Sequence, residues 1–180
     1  VASRTIFTIG HSTHSLDEFI ELLRAHDVKA VADVRSVPRS RHVPQFNSDH
    51  LAIALPKAKI KYQPFKSLGG WKHAKKDSIN LGWRNSSFRG YADYMQTPPF
   101  IEALDQLIEF AKKQPTATMC AEALPWRCHR SLISDALLIR GWKVLDIMSA
   151  AQTKPHELTK FAQVKGKQIT YPADDLLFSY

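Results

Sequence analysis

Short apolar segments rich in β-branched residues alternate along this chain with helical stripes, and that alternation limits the fold more than any other feature. Residues 4–10, RTIFTIG, read as a buried strand closed by glycine. Residues 15–26 follow, with Leu16, Phe19, Ile20, Leu22 and Leu23 on one helical stripe and Ser15 in capping-box register with Glu18. Residues 29–34, KAVADV, give a second strand, and residues 48–55 a short helix. Residues 59–65, KIKYQPF, give a third strand that Pro64 should end. Residues 98–113 form an amphipathic helix, opened by Pro98 and Pro99, with Phe100, Ile101, Leu104, Leu107, Ile108 and Ala111 on one side. Residues 116–121 make a fourth strand, residues 126–140 a helix with Gly141 at its end, and residues 142–147 a fifth strand. Residues 153–162 read as a last short helix, and the tail from 167 onward as a strand or a packed arm.

This pattern implies an α/β fold: a mostly parallel sheet of about five strands flanked by helices. A chain of 180 residues suits one domain over 1–180, with its core at 4–147 and a C-terminal arm at 151–180. One stretch breaks the rhythm. Residues 66–96 are polar, hold Gly69, Gly70, Gly82 and Gly90, and intersperse Trp71, Trp83 and Tyr91. A long inserted loop of this kind is expected to act as a lid or binding loop.

Composition narrows the function classes. No apolar run is long enough to span a bilayer, and the opening VASRTIFTIG has no charged segment followed by an apolar run and a cleavage site. The expectation is a soluble, cytoplasmic protein with no membrane partner. Two cysteines argue against a disulfide-built scaffold. A net charge of +8 favours an anionic small molecule or nucleic acid as partner, or else a plainly solvated basic surface.

In parallel α/β sheets ligands bind outside the carboxyl ends of the strands. The chemistry-bearing residues collect there. The first strand ends at Gly10-His11-Ser12, and the second at Asp33-Val34-Arg35, with Arg41 beyond it. The third runs into Gly69-Gly70. The fourth opens the densest stretch of the chain, CAEALPWRCHR at 120–130, which holds both cysteines. Arg35, Arg41 and Arg130 suit an oxyanion. His11, Asp33, Glu122, Cys128 and His129 are candidate catalytic groups. Plainer roles stand beside these: His11 bonding a loop carbonyl, Asp33 bracing a turn, Cys120 filling the core, Trp71 and Trp83 pinning the long loop rather than stacking on a base. Cys128, His129 and Arg130 fall at a helix start, where backbone N–H groups favour anions and acidify a thiol. Adjacent residues on a helix point about 100° apart, so Cys128 and His129 are not a dyad by adjacency alone.

Spacing excludes several known devices. A cysteine phosphatase needs five residues between cysteine and arginine, and Cys120 to Arg127 has six. Cys120, Cys128, His129 and His11 would have to converge to hold zinc, and the spacing of the two cysteines matches no zinc signature, so no metal ligands are assigned. The turn GHSTHS has one glycine and no lysine, unlike a phosphate-binding loop.

The motifs TIGHST at 8–13, DVRSVPRSR at 33–41, LGG at 68–70 and CAEALPWRCHR at 120–130 together resemble domain-of-unknown-function family 488. The resemblance spans most of residues 4–147. It implies a compact α/β domain with these motifs facing one cleft, and it implies no reaction. By position it adds Ser12, Gly69 and Gly70 to the anion-binding set of Arg35, Arg41 and Arg130. The expected function is an enzyme of the hydrolase or transferase type, with a cationic strand-end pocket for a phosphate-bearing substrate such as a nucleotide or nucleic-acid end. The alternatives are a non-catalytic nucleic-acid-binding module, supported by the run KHAKKD at 72–77, and a redox or metal sensor built on Cys120 and Cys128. The sequence names no cofactor.

Overall fold

The computed structural model describes residues 4–174. Its elements run β1 (Thr5–Gly10), α1 (Leu16–Ala25), β2 (Ala30–Asp33), α2 (Ser48–Lys57), β3 (Lys61–Pro64), α3 (Ser86–Tyr94), α4 (Pro98–Ala111), β4 (Thr116–Cys120), α5 (Arg130–Leu138), β5 (Lys143–Ile147), β6 (Thr153–Pro155), β7 (Gln163–Lys165) and β8 (Gln168–Thr170). The main sheet has the order β3-β2-β4-β1-β5-β6. Its first five strands in sequence pair in parallel, and β6 joins β5 antiparallel. The fold is α/β, as the alternation implies.

The central strands β1, β2 and β4 are largely buried between helices on both faces, which is why they read as continuous apolar runs rather than alternations, while the edge strand β3 is mostly exposed. In β2, Val31 faces one side while Ala30 and Ala32 face the other. On the first side, Phe19 and Leu23 of α1 and Leu51 and Leu55 of α2 pack over Ile9, Val31, Ala117 and Met119. On the second side, Tyr91 of α3, Leu104 and Leu107 of α4 and Leu132 of α5 pack over Ile6, Ala32 and Val144. Both ends of the α1 stripe are set locally. Ser15 and Glu18 close the capping box in both directions, and Arg24 sits in the last turn.

The faces used by the crossovers fix where a cleft opens. The chain leaves β1 and β2 toward the α1/α2 face, but leaves β4 toward the α5 face. Since β4 lies between β1 and β2, its carboxyl end is where outgoing loops diverge to opposite sides. That divergence is the switch point of a doubly wound sheet.

Three expectations need correction. Residues 66–96 are not one irregular loop, because α3 forms within them, capped by the Asn85 side chain on the Ser87 and Phe88 N–H groups. The rest of the segment is tied down by Asp93, which accepts from the Ser78 hydroxyl at 2.6 Å, the Asn80 amide at 2.8 Å and the Lys75 backbone at 2.9 Å. Residues 126–140 are not one helix: Pro125–Arg127 form a 3-10 turn and α5 starts only at Arg130. Residues 153–162 begin with strand β6 rather than a helix, because pairing with the β5 edge overrides weak local propensity. The arm continues as the β7–β8 hairpin, and Tyr171 beyond it is buried with its hydroxyl donating to Asp135 at 2.8 Å. Residues 175–180, the end of the tail, lie outside the described residues. Among the described residues no helix is long and apolar enough to cross a membrane.

Candidate functional site

The residues at the carboxyl ends of β1, β2 and β4 build two adjoining layers. The lower layer centres on Arg35, only 7% exposed. Its Nε and Nη2 donate to the two carboxylate oxygens of Asp33 at 2.9 and 2.7 Å, and Nη2 also donates to the Phe46 carbonyl at 2.7 Å. Tyr62 donates its phenol to Asp33 at 2.6 Å, and burial together with the Asp33 charge pushes that phenol up, so it stays a donor. His11 closes the layer. Its Nδ1 lies 2.9 Å from the Ser12 carbonyl, which can only accept, so the ring proton sits there. Nε2 is then an acceptor for Arg35 Nη1 at 3.2 Å. Burial, with the Arg35 charge adding to it, lowers His11 to about 4. The ring is therefore neutral, stacked 4.4 Å from Phe46, and holds the guanidinium in place.

The upper layer centres on Cys128. β4 ends in Cys120, the chain turns through Pro125–Arg127, and Cys128 returns just before α5. Cys128 Sγ receives the Arg130 backbone N–H at 3.5 Å and Arg130 Nε at 3.4 Å. Arg130 is itself buried, with Nη1 3.3 Å from the Thr8 hydroxyl and Nη2 bonded to the Glu122 carbonyl. His129 donates Nε2–H to the Val34 carbonyl at 2.8 Å, which leaves the Nδ1 lone pair free. That lone pair faces both sulfurs, Cys128 at 3.7 Å and Cys120 at 4.0 Å. The hydrogen bond from the Cys120 thiol holds Cys128 well below the usual thiol range, aided by the Arg130 charge and opposed by burial. The same bond and burial push Cys120 up. Cys128 is the thiolate of the pair, and Cys120 the thiol.

The two sulfurs and a His129 nitrogen lie within 4.8 Å of one another, close enough to surround a soft cation. Three donors fall short of a closed zinc site, however. The side chain that completes the surroundings of Cys128 is a guanidinium, which cannot ligate and already supplies positive charge.

A cleft of about 510 Å³ opens over this layer, lined among others by Arg35, Gly70, Cys120, Glu122, Cys128 and His129. Of the sequence candidates, these six reach it. His11, Asp33 and Arg130 stand behind them as supports. Ser12, at φ 46°, bonds its N–H to the Ala121 carbonyl and shapes the turn. Gly69 packs on Ser36, where a Cβ would come 2.3 Å from the Ser36 hydroxyl. Arg41 is exposed and is not brought into the cleft. Trp83 pins the long segment, with its ring centroid 4.9 Å from Phe161 and 5.4 Å from Tyr171. Trp71 stays 77% exposed at the cleft wall.

The sequence candidates omit Ser36, Asn85, Ser87 and Arg127, which also line the cleft. Asn85 followed by Phe88, Tyr91 and Ala92 at helical spacing is the signal that would have found α3 and its N-terminus. A larger groove of about 760 Å³ runs along α4 beside Lys61, and none of the motif residues lines it.

The family model described as "Domain of unknown function DUF488" matches residues 15–137, the span from α1 to the end of α5 that builds most of both layers. No curated protein and no solved structure matches the chain. With the match covering more than half its length, the chain belongs to the DUF488 family.

Proposed function

We propose that this protein is an enzyme of the hydrolase or transferase type in which Cys128 attacks a phosphate-bearing substrate bound in the strand-end cleft. The observation that carries the reading is the pair of Arg130 N–H groups directed at Cys128 Sγ on the floor of an open cleft. A structural cysteine needs no such donors, whereas a nucleophilic thiolate does. His129 Nδ1, with its tautomer fixed by Val34, is placed to take up or return a proton at either sulfur.

Charge favours an anion in the same cleft. Arg127 lines its wall, and the bonds of Arg35 use four of its five N–H groups, leaving one on Nη1. The N-termini of α3 and α5 both border it, through Asn85 and Ser87 on one side and Cys128 and His129 on the other. The exposed Trp71 ring beside these groups favours a nucleotide or nucleic-acid end over a bare sugar phosphate. Within the run at 72–77, Lys72 packs 4.2 Å over the Tyr94 ring, while His73, Lys75 and Lys76 stay exposed.

The test is protection of Cys128 from iodoacetamide by nucleotides, short oligonucleotides and sugar phosphates. A protecting phosphate compound whose effect is lost in Arg127→Ala is the expected outcome. Slow alkylation that no phosphate compound changes would overturn the reading.

A further inference from the structure

We propose that Cys120 and Cys128 form a reversible dithiol centre that reduces a hydroperoxide and closes to a disulfide. This rests on the nucleophilic character assigned above to Cys128, and it adds a role for Cys120 that group transfer does not require.

Three observations support it. Cys120 and Cys128 are the two free cysteines, and both line the same cleft, so a small peroxide reaches them from solvent. Their sulfurs lie within 4.8 Å of each other, and each faces the same His129 nitrogen, at 4.0 and 3.7 Å. The elements that carry them leave room to close. Cys120 is the last residue of β4, Cys128 follows a 3-10 turn, and neither lies inside a regular helix. Bond formation needs the sulfurs to approach to about 2 Å, a side-chain rotation plus a small shift of the turn.

The chemistry balances with a hydroperoxide as oxidant. Cys128 thiolate attacks the terminal peroxide oxygen. An S–O bond forms, the O–O bond breaks, and an alkoxide or hydroxide leaves and takes a proton from solvent. Cys128 is now a sulfenic acid, oxidised by two electrons. The Cys120 thiol passes its proton to His129 Nδ1 and attacks the Cys128 sulfur. The S–S bond forms, the S–O bond breaks, and the departing hydroxide takes the proton back from His129 as water. One thiolate, one thiol, one peroxide and one proton become a disulfide, an alcohol or water, and a further water. A dithiol reductant reverses the oxidation.

The test is titration of the full chain with hydrogen peroxide, followed by N-ethylmaleimide and intact mass. The expected result at one equivalent is loss of both thiols together, with a mass about 2 Da lower, reversed by dithiothreitol. In Cys120→Ser, the expected product is a Cys128 sulfenic acid trapped by dimedone. In His129→Gln the sulfenic acid should persist longer than in the unmodified chain. A wild-type chain that gains oxygen on Cys128 while Cys120 still takes maleimide would overturn the dithiol and leave the nucleophile reading standing. A chain whose Cys128 reacts with neither peroxide nor maleimide would overturn both. Disulfide-linked dimers in place of the internal bond, or stoichiometric metal recovered on the trio by elemental analysis, would also overturn the dithiol.

Discussion

Nε of Arg130 lies 3.4 Å from Sγ of Cys128, and the guanidinium that carries it is 1% exposed. A buried cation beside a sulfur favours the thiolate, after the larger contribution of the Cys120 thiol bond. Arg130→Gln removes the charge and keeps a side-chain amide donor. The pH midpoint for Cys128 alkylation should then move upward, and wherever the midpoint lies above the assay pH each further unit lowers the thiolate fraction about tenfold. Arg130→Lys should move it less. Iodoacetamide rates measured across pH 5–9 on all three proteins decide this. Identical profiles would show that Arg130 braces Thr8 and the Glu122 carbonyl and does nothing for the sulfur.

Arg35 shows how a residue of the expected type can do different work. Two arginines on a loop leaving a strand suggest an oxyanion clamp, yet four N–H groups of Arg35 are spent on Asp33, Phe46 and His11. Its first role is to tie the ends of β1 and β2 to the 3-10 turn at Pro44–Phe46. Asp33→Ala strands a buried guanidinium and should cost roughly 3–5 kcal/mol of stability, the scale for breaking a buried pair. Urea denaturation gives the value. A loss under about 1 kcal/mol would mean that the pair is open to water in solution.

The core elements were legible because burial leaves a plain record, on both faces in TIFTIG and along one side in the α4 stripe. So was the convergence of motifs, because a parallel sheet sends every carboxyl end to one edge. The pairing of partners was not. Nothing in the order of residues says that His129 would donate to Val34, 95 positions away, and so free Nδ1 for two sulfurs. Adjacency suggested that Cys128 and His129 point apart. They meet because the chain is not yet helical there: Cys128 is extended at φ −128° and ψ 145°, and α5 begins two residues later. Arg41 looked equivalent to Arg35 by charge and position, and only the path of the loop separates them.

Gly70 makes a direct test of His129. A Cβ at Gly70 would come 2.6 Å from His129 Nδ1 and 2.8 Å from Cγ. Gly70→Ala must therefore swing the imidazole away from the sulfurs or displace the backbone. Overpacking of this kind costs about 1–3 kcal/mol. Alkylation of Cys128 at neutral pH should slow in Gly70→Ala while the far-ultraviolet circular dichroism stays native. An unchanged rate in a folded variant would remove His129 from the control of Cys128 reactivity.

The lower layer predicts an acid-sensitive stability. His11 is neutral in the folded protein, with its affinity for a proton lowered to about 4 by burial and by Arg35. In the unfolded chain it returns to the usual value near 6.5. A histidine depressed in this way contributes stability that is complete above pH 6.5 and is lost as pH falls toward 4, because the unfolded state binds the proton first. The full loss corresponds to roughly 3 kcal/mol, and no more is lost through this group below that range. His11→Gln keeps an oxygen that can accept from Arg35 and removes the titration. Urea midpoints measured at pH 7.5, 5.5 and 4.5 should fall more steeply for the unmodified chain than for His11→Gln, with the two curves drawing together as the pH drops. Parallel curves would show that His11 is already open to protonation in the folded state, and that the Arg35 layer is held by Asp33, Tyr62 and the Phe46 carbonyl without it.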